Sequence, residues 1–92
     1  MIVGAYVKDP DEVLDYTIDW AAAIPSDTIA SSTWVVPAGI TQASPSPSYT
    51  TTATTIWLSG GTAGTVYDVV NRITTSGGRT LERALQIRVE YS

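Results

Sequence analysis

The chain has 92 residues, a hydrophobic fraction of 43%, a charged fraction of 15% and a formal net charge of -4, the profile of one ordered globular domain that buries roughly 60% of its unfolded surface. It contains no cysteine and no histidine, which excludes a disulfide framework, a thiolate metal site, a cysteine nucleophile and the ordinary general base. The acidic balance speaks against a nucleic-acid backbone or an anionic membrane as partner, and no apolar run reaches transmembrane length.

Residues 2–7 are an apolar run of strand composition, set apart by the turn Lys8-Asp9-Pro10-Asp11-Glu12. The run has no positively charged n-region and does not read as a signal peptide. It is either a first strand or an arm that docks elsewhere, so the chain divides into residues 1–7 and a single domain over 8–92. From Val13 the alternation is sharp: Leu14, Tyr16, Ile18 and Trp20 share one side, Asp15, Thr17 and Asp19 the other, which predicts a half-buried strand with an acidic outer face. Ala21-Ala22-Ala23-Ile24 is a connection, stopped by Pro25-Ser26-Asp27. Residues 28–36 form a strand with apolar groups on both faces: Ala30, Trp34 and Val36 on one, Ile29 and Val35 on the other. Periodicity does not decide which side faces in.

Pro37-Ala38-Gly39 closes that strand, and Ser44-Pro45-Ser46-Pro47-Ser48 reads as a loop. Residues 49–58 make a threonine-rich strand that sets Thr54, Ile56 and Leu58 against Ala53, Thr55 and Trp57. Trp57 points outward if Ile56 and Leu58 face the core, and inward otherwise.

Two alternating runs then flank Ser76-Gly77-Gly78, the pattern of a β-hairpin. With Tyr67, Val69 and Ile73 inward on one strand and Leu81, Leu85, Ile87 and Val89 on the other, opposed residues must sum to an even number. A two-residue loop would turn one strand inside out. A three-residue loop opposes Ile73 to Leu81, Val69 to Leu85 and Tyr67 to Ile87, and it puts Arg72 opposite Glu82 on the outer face. Asn71 and Arg83 break the pattern, a polar pair on the apolar side. They mark either the rim of the core or a place where a partner docks.

Six or seven short strands, turns of glycine or proline and no amphipathic helix predict an all-β, immunoglobulin-like antiparallel β-sandwich. Tyr67, entering the penultimate strand after Gly64, fits a tyrosine corner, in which the hydroxyl bonds back to the preceding connection. In place of an inter-sheet disulfide, Trp20 and Trp34 supply packing volume.

Chemistry-bearing constellations are few. Asp9, Asp11, Glu12, Asp15 and Asp19 offer carboxylates of the kind calcium takes, but their spacing fits no EF-hand, and outward carboxylates on a strand are ordinary. No cofactor is expected. Serine-dependent hydrolysis lacks both a base and a Gly-x-Ser-x-Gly elbow, so the chain is not read as an enzyme. The interaction candidates are Ile2, Val3 and Tyr6 in a run suited to strand addition, Trp57 if it is outward, and the pair Asn71 and Arg83.

Residues 8–20, 27–34, 57–64 and 73–80 together resemble short virion proteins of tailed bacteriophages and prophages, of the fibre-tail adaptor type. The resemblance covers nearly the whole chain after Lys8 and implies a non-enzymatic, immunoglobulin-like structural module. Such a module would dock between larger phage structural proteins at the tail, neck or fibre attachment, with a homo-oligomer as one arrangement open to it there, in a virion assembled in the host cytoplasm. A capsid decoration or cement protein, present in many more copies, is the alternative within that class. A carbohydrate- or receptor-binding module using Trp57 is the alternative outside it.

Overall fold

The computed structural model describes residues 1–91. Eight strands follow in order: β1 (Ile2–Lys8), β2 (Leu14–Asp19), β3 (Ile29–Val35), β4 (Ile40–Gln42), β5 (Ser48–Tyr49), β6 (Ala53–Gly60), β7 (Val66–Thr75) and β8 (Thr80–Val89). They form two sheets, β1-β8-β7-β3 and β2-β6-β4, with β5 pairing β6 beside β4. The expected all-β sandwich is present. One pairing departs from the antiparallel expectation: β1 runs parallel to β8 along the sheet edge.

Period-two alternation puts one face of each long strand in the core. Tyr16 and Ile18 of β2, Ile56 and Leu58 of β6, Val69 and Ile73 of β7, and Leu85, Ile87 and Val89 of β8 are buried, with Trp20 at the centre. Each fully buried aliphatic side chain contributes about 1.5–3 kcal/mol. The ambiguity of residues 28–36 has a structural cause. The β3–β7 register shifts between Ile29 and Ser31, and this bulge reverses the parity, so that Ile29 and, further along, Trp34 and Val36 all reach the core.

The β7–β8 hairpin has the register derived from parity, with Ile73 opposite Leu81, Val69 opposite Leu85, Tyr67 opposite Ile87 and Arg72 opposite Glu82. Its loop is Ser76-Gly77-Gly78, closed by Thr75 N–H donating to Arg79 O at 2.8 Å. Gly78 takes φ +90°, a conformation that L side chains rarely adopt. Tyr67 makes the corner bond, its hydroxyl accepting from the Thr62 amide at 2.9 Å.

Asp27 holds the hairpin tip. Its carboxylate accepts from the amides of Thr28 at 2.8 Å and Gly77 at 3.0 Å, and pairs with Arg79 at 2.9 Å. A Cβ at residue 77 would lie 2.8 Å from Asp27 Oδ2, so only glycine allows this approach. The Thr75 hydroxyl and these amides hold the Asp27 carboxyl down to about 2. A carboxylate whose folded value lies below its unfolded value of about 3.9 contributes stability that is complete above the unfolded value and disappears as pH falls through the folded one. Asp27→Asn should therefore be less stable than the wild type at neutral pH, and the gap should narrow between about pH 4 and about pH 2. Urea unfolding of both proteins across that range measures it.

Candidate functional site

The candidate contact residues fall in three different environments. Asn71 lies wholly inside the sandwich. Its Oδ1 accepts from the Thr54 hydroxyl at 2.7 Å and from Trp20 Nε1 at 3.2 Å, while Nδ2 donates to Ser32 Oγ and Thr33 O, each at 2.9 Å. Both polar ends of the amide are occupied within the domain, so Asn71 presents no surface to a neighbour. It links the sheets instead, because Thr54 belongs to one, with Trp20 directly after β2 on the same side, and Asn71, Ser32 and Thr33 belong to the other. Arg83 points to the same side from β8, with its guanidinium carbon 5.0 Å from the centroid of the Trp20 ring.

Trp57 takes the outward orientation, half-buried on the outer face of β6 opposite Asp15 of β2. The carboxylates of the Asp9–Glu12 turn serve the turn itself: Glu12 Oε1 accepts from the Asp9 amide and Asp9 Oδ1 from the Asp11 amide, each at 2.8 Å. Among the described residues no three acidic side chains are gathered as metal ligands.

Ile2, Val3 and Tyr6 lie on β1 and are 49%, 37% and 40% exposed. Gly4, Tyr6 and Lys8 alternate toward the sandwich, Tyr6 stacking at a tilt on Tyr16 with ring centroids 5.0 Å apart. Burial pushes the Tyr16 hydroxyl up to about 12. Lys8 is fully buried, its ammonium donating to Gly60 O at 2.8 Å and Asp9 O at 2.9 Å. Desolvation lowers its pKa. Lys8 thereby ties β1 to the far end of β6, a role hidden in the sequence because a lysine before Asp-Pro reads as a turn.

β1 ends the sheet, and among the described residues its second edge has no strand beside it. Lys8 O accepts from the Glu90 amide, which fixes the alternation: the backbone groups of Tyr6 and Lys8 face β8, and those of Ala5 and Val7 face outward. A further feature lies on the outer face of this sheet. Ile2 pairs with Ala84, Ala84 with Val70 and Val70 with Val35, an apolar row crossing all four strands. Polar partners border it, Arg72 with Glu82 on one side and Asp68 with Gln86 on the other. The sequence carried a signal for its centre, since the hairpin register that opposes Arg72 to Glu82 also opposes Val70 to Ala84 on the same face.

Truncating the buried amide removes partners from groups that cannot reach water, at a cost of about 1–3 kcal/mol for each one orphaned. Asn71→Ala should lower the unfolding free energy by about 3 kcal/mol or more, as read from the urea midpoint. Arg72→Ala, which breaks only an exposed ion pair, should change it by less than about 1 kcal/mol.

No curated protein matches the chain at a significant level. A family model described as "Podophage GP4 fiber-tail adaptor protein gp77" matches residues 8–88. The match takes in the last residue of β1 and all of β2 to β7, and reaches Arg88 in β8. With most of its length matched, the chain belongs to the podophage GP4 fibre-tail adaptor family gp77.

Proposed function

We propose that the chain is a non-enzymatic structural component of the phage particle, which docks between larger virion proteins at the tail, neck or fibre attachment through the free edge of β1. The observation that carries this reading is the composition of that edge. Natural edge strands are guarded by lysine, proline, inward-pointing charges or a covering segment. From Ile2 to Val7, β1 has no charge and no proline, and the one inward-pointing charge, Lys8, stands at its last position and leaves the rest of the edge open. Val7 is 64% exposed, and the outward backbone groups of Ala5 and Val7 are available to another strand. An adaptor needs such a surface, because strand addition supplies affinity from main-chain hydrogen bonds.

The β3 edge, at the other side of the same sheet, differs. On β3 the Ala30 carbonyl is capped by the Tyr49 hydroxyl at 2.9 Å, and the Ile29 amide donates to Thr51 O. Strand order also supports an immunoglobulin-like module: β2-β6-β4 corresponds to strands B, E and D, and β3-β7-β8 to C, F and G, with the corner tyrosine at the start of F.

Gradient sedimentation of purified particles tests the assignment. The chain should co-migrate with virions, and recovery solely from the free lysate fraction would overturn the reading. Ala5→Pro removes an outward amide without removing a bond to β8, so it should leave a folded protein that incorporates poorly into particles, whereas Ala5→Ser should incorporate normally.

A further inference from the structure

The β1 strand does not cover the whole of β8. Pairing begins at Ile2 opposite Ala84, and the Ala84 amide donates to Met1 O at 2.8 Å. β8 itself begins at Thr80, so, among the described residues, positions 80–83 have β7 on one side and no strand on the other. The odd residues of β8 bond to β7, as the Thr75–Arg79 and Thr65–Val89 contacts at the ends of the ladder establish. The backbone groups of Thr80 and Glu82 therefore face the uncovered side.

Arg83 adjoins this gap on its inner side. Of the five lysine and arginine side chains, four have an oxygen partner: Arg72 has Glu82, Arg79 has Asp27, Arg88 has Glu90, and Lys8 has two carbonyls. Among the described residues, no hydrogen bond or ion pair reaches the guanidinium of Arg83. It lies half-buried over Trp20, whose own ring is fully enclosed. The cation–π contact holds the guanidinium over the ring, and its N–H donors have no acceptor among the described residues; a guanidinium with free donors can bind a carboxylate through two parallel bonds.

We infer that the open edge of β8 at Thr80 and Glu82 receives an extended acidic segment of a partner protein, one carboxylate of which binds Arg83. The carboxylate belongs on the inner side, because Glu82 and Arg72 already occupy the outer one. The segment would continue the line of β1 and close the side of the sandwich next to Trp20. This inference rests on the adaptor reading for the existence of a partner, but on a different surface from the free edge of β1.

The test is an NMR titration of the isotope-labelled full chain with two peptides, acetyl-Thr-Val-Asp-Val-Thr-amide and its Asn counterpart. A charge-assisted bidentate contact predicts that the Asp peptide binds about tenfold or more tightly than the Asn peptide. Its binding should slow amide exchange at Thr80 and Glu82 and shift the Arg83 Nε and Trp20 Nε1 resonances. Arg83→Gln should abolish the preference, and Arg83→Lys should keep part of it. Equal affinity for the two peptides, no binding of either, or protection at Ala5 and Val7 instead would overturn the inference. So would self-association of the chain that protects Thr80 and Glu82, since the occupant would then be a second copy. The peptide comparison uses the wild-type chain, so it decides even if Arg83→Gln fails to fold. The adaptor reading stands or falls separately, on sedimentation with virions.

Discussion

The side-chain amide of Asn71 holds the two sheets in one relative position, and the rest of the sandwich depends on that. Apolar packing is non-directional, and a core of isoleucine, valine and leucine tolerates sliding of one sheet over the other at modest cost. Four hydrogen bonds do not. Oδ1 is bonded to Trp20 and Thr54 on the side of one sheet, Nδ2 to Ser32 and Thr33 from its own, and a shift of either sheet would strand buried donors. In a protein without an inter-sheet disulfide, this network supplies the directional constraint. It also places Trp20, and through Trp20 it fixes where the Arg83 guanidinium can lie.

The two ends of the sandwich are closed by polar contacts of a similar kind. At one end, the Asp27 carboxylate and the Thr28–Ser76 hydroxyl contact at 2.7 Å join the hairpin tip to the connection after β2. At the other, Lys8 reaches Gly60, the Gly64 amide donates to Val89 O, and Tyr67 receives the Thr62 amide. Chain-distant segments meet in each case, so the loops are fixed by the strands they connect. The carboxylate of Asp15, by contrast, stays on an exposed strand face, and that of Asp19 at the end of the same face accepts from the Ala21 amide at 3.0 Å.

How legible each part was depended on the range of the forces that set it. The β7–β8 register could be worked out from parity because a hairpin is local and its alternation is unbroken. The orientation of β3 could not, because a one-residue bulge near Ala30 reverses parity and leaves no composition signal. The parallel pairing of β1 depends on which edge is free once β8 has formed, which is a property of the whole sheet. Asn71 and Arg83 were visible as an anomaly of pattern, but the sequence could not separate them. Asn71 proved to be the buried link, and Arg83 the half-buried neighbour of a gap. Lys8 was hidden, since its burial follows from carbonyls contributed by distant Gly60 as well as by Asp9. The outward orientation of Trp57 followed from the burial of Ile56 and Leu58, once the partner strands were known.

The free edge of β1 and the apolar row on the outer face are continuous, because Ile2 belongs to both. That continuity bears on what a partner must bring. A strand added beside β1 would satisfy the backbone of Ala5 and Val7, yet its own side chains alternate, and half of them would extend the outer face beyond Ile2. Apolar residues at those positions would lengthen the row Ile2–Ala84–Val70–Val35 to a fifth strand and shield its exposed end from water. Charged ones would instead lie next to Ile2 with no countercharge along β1, whose only ionic side chain is buried. Main-chain pairing alone is indifferent to sequence, so discrimination among candidate strands would have to come from this face. The composition of β1 from Ile2 to Val7, which leaves that edge open, would thus also set the selectivity of such a contact: it would favour a strand with an apolar outer face and disfavour a charged one.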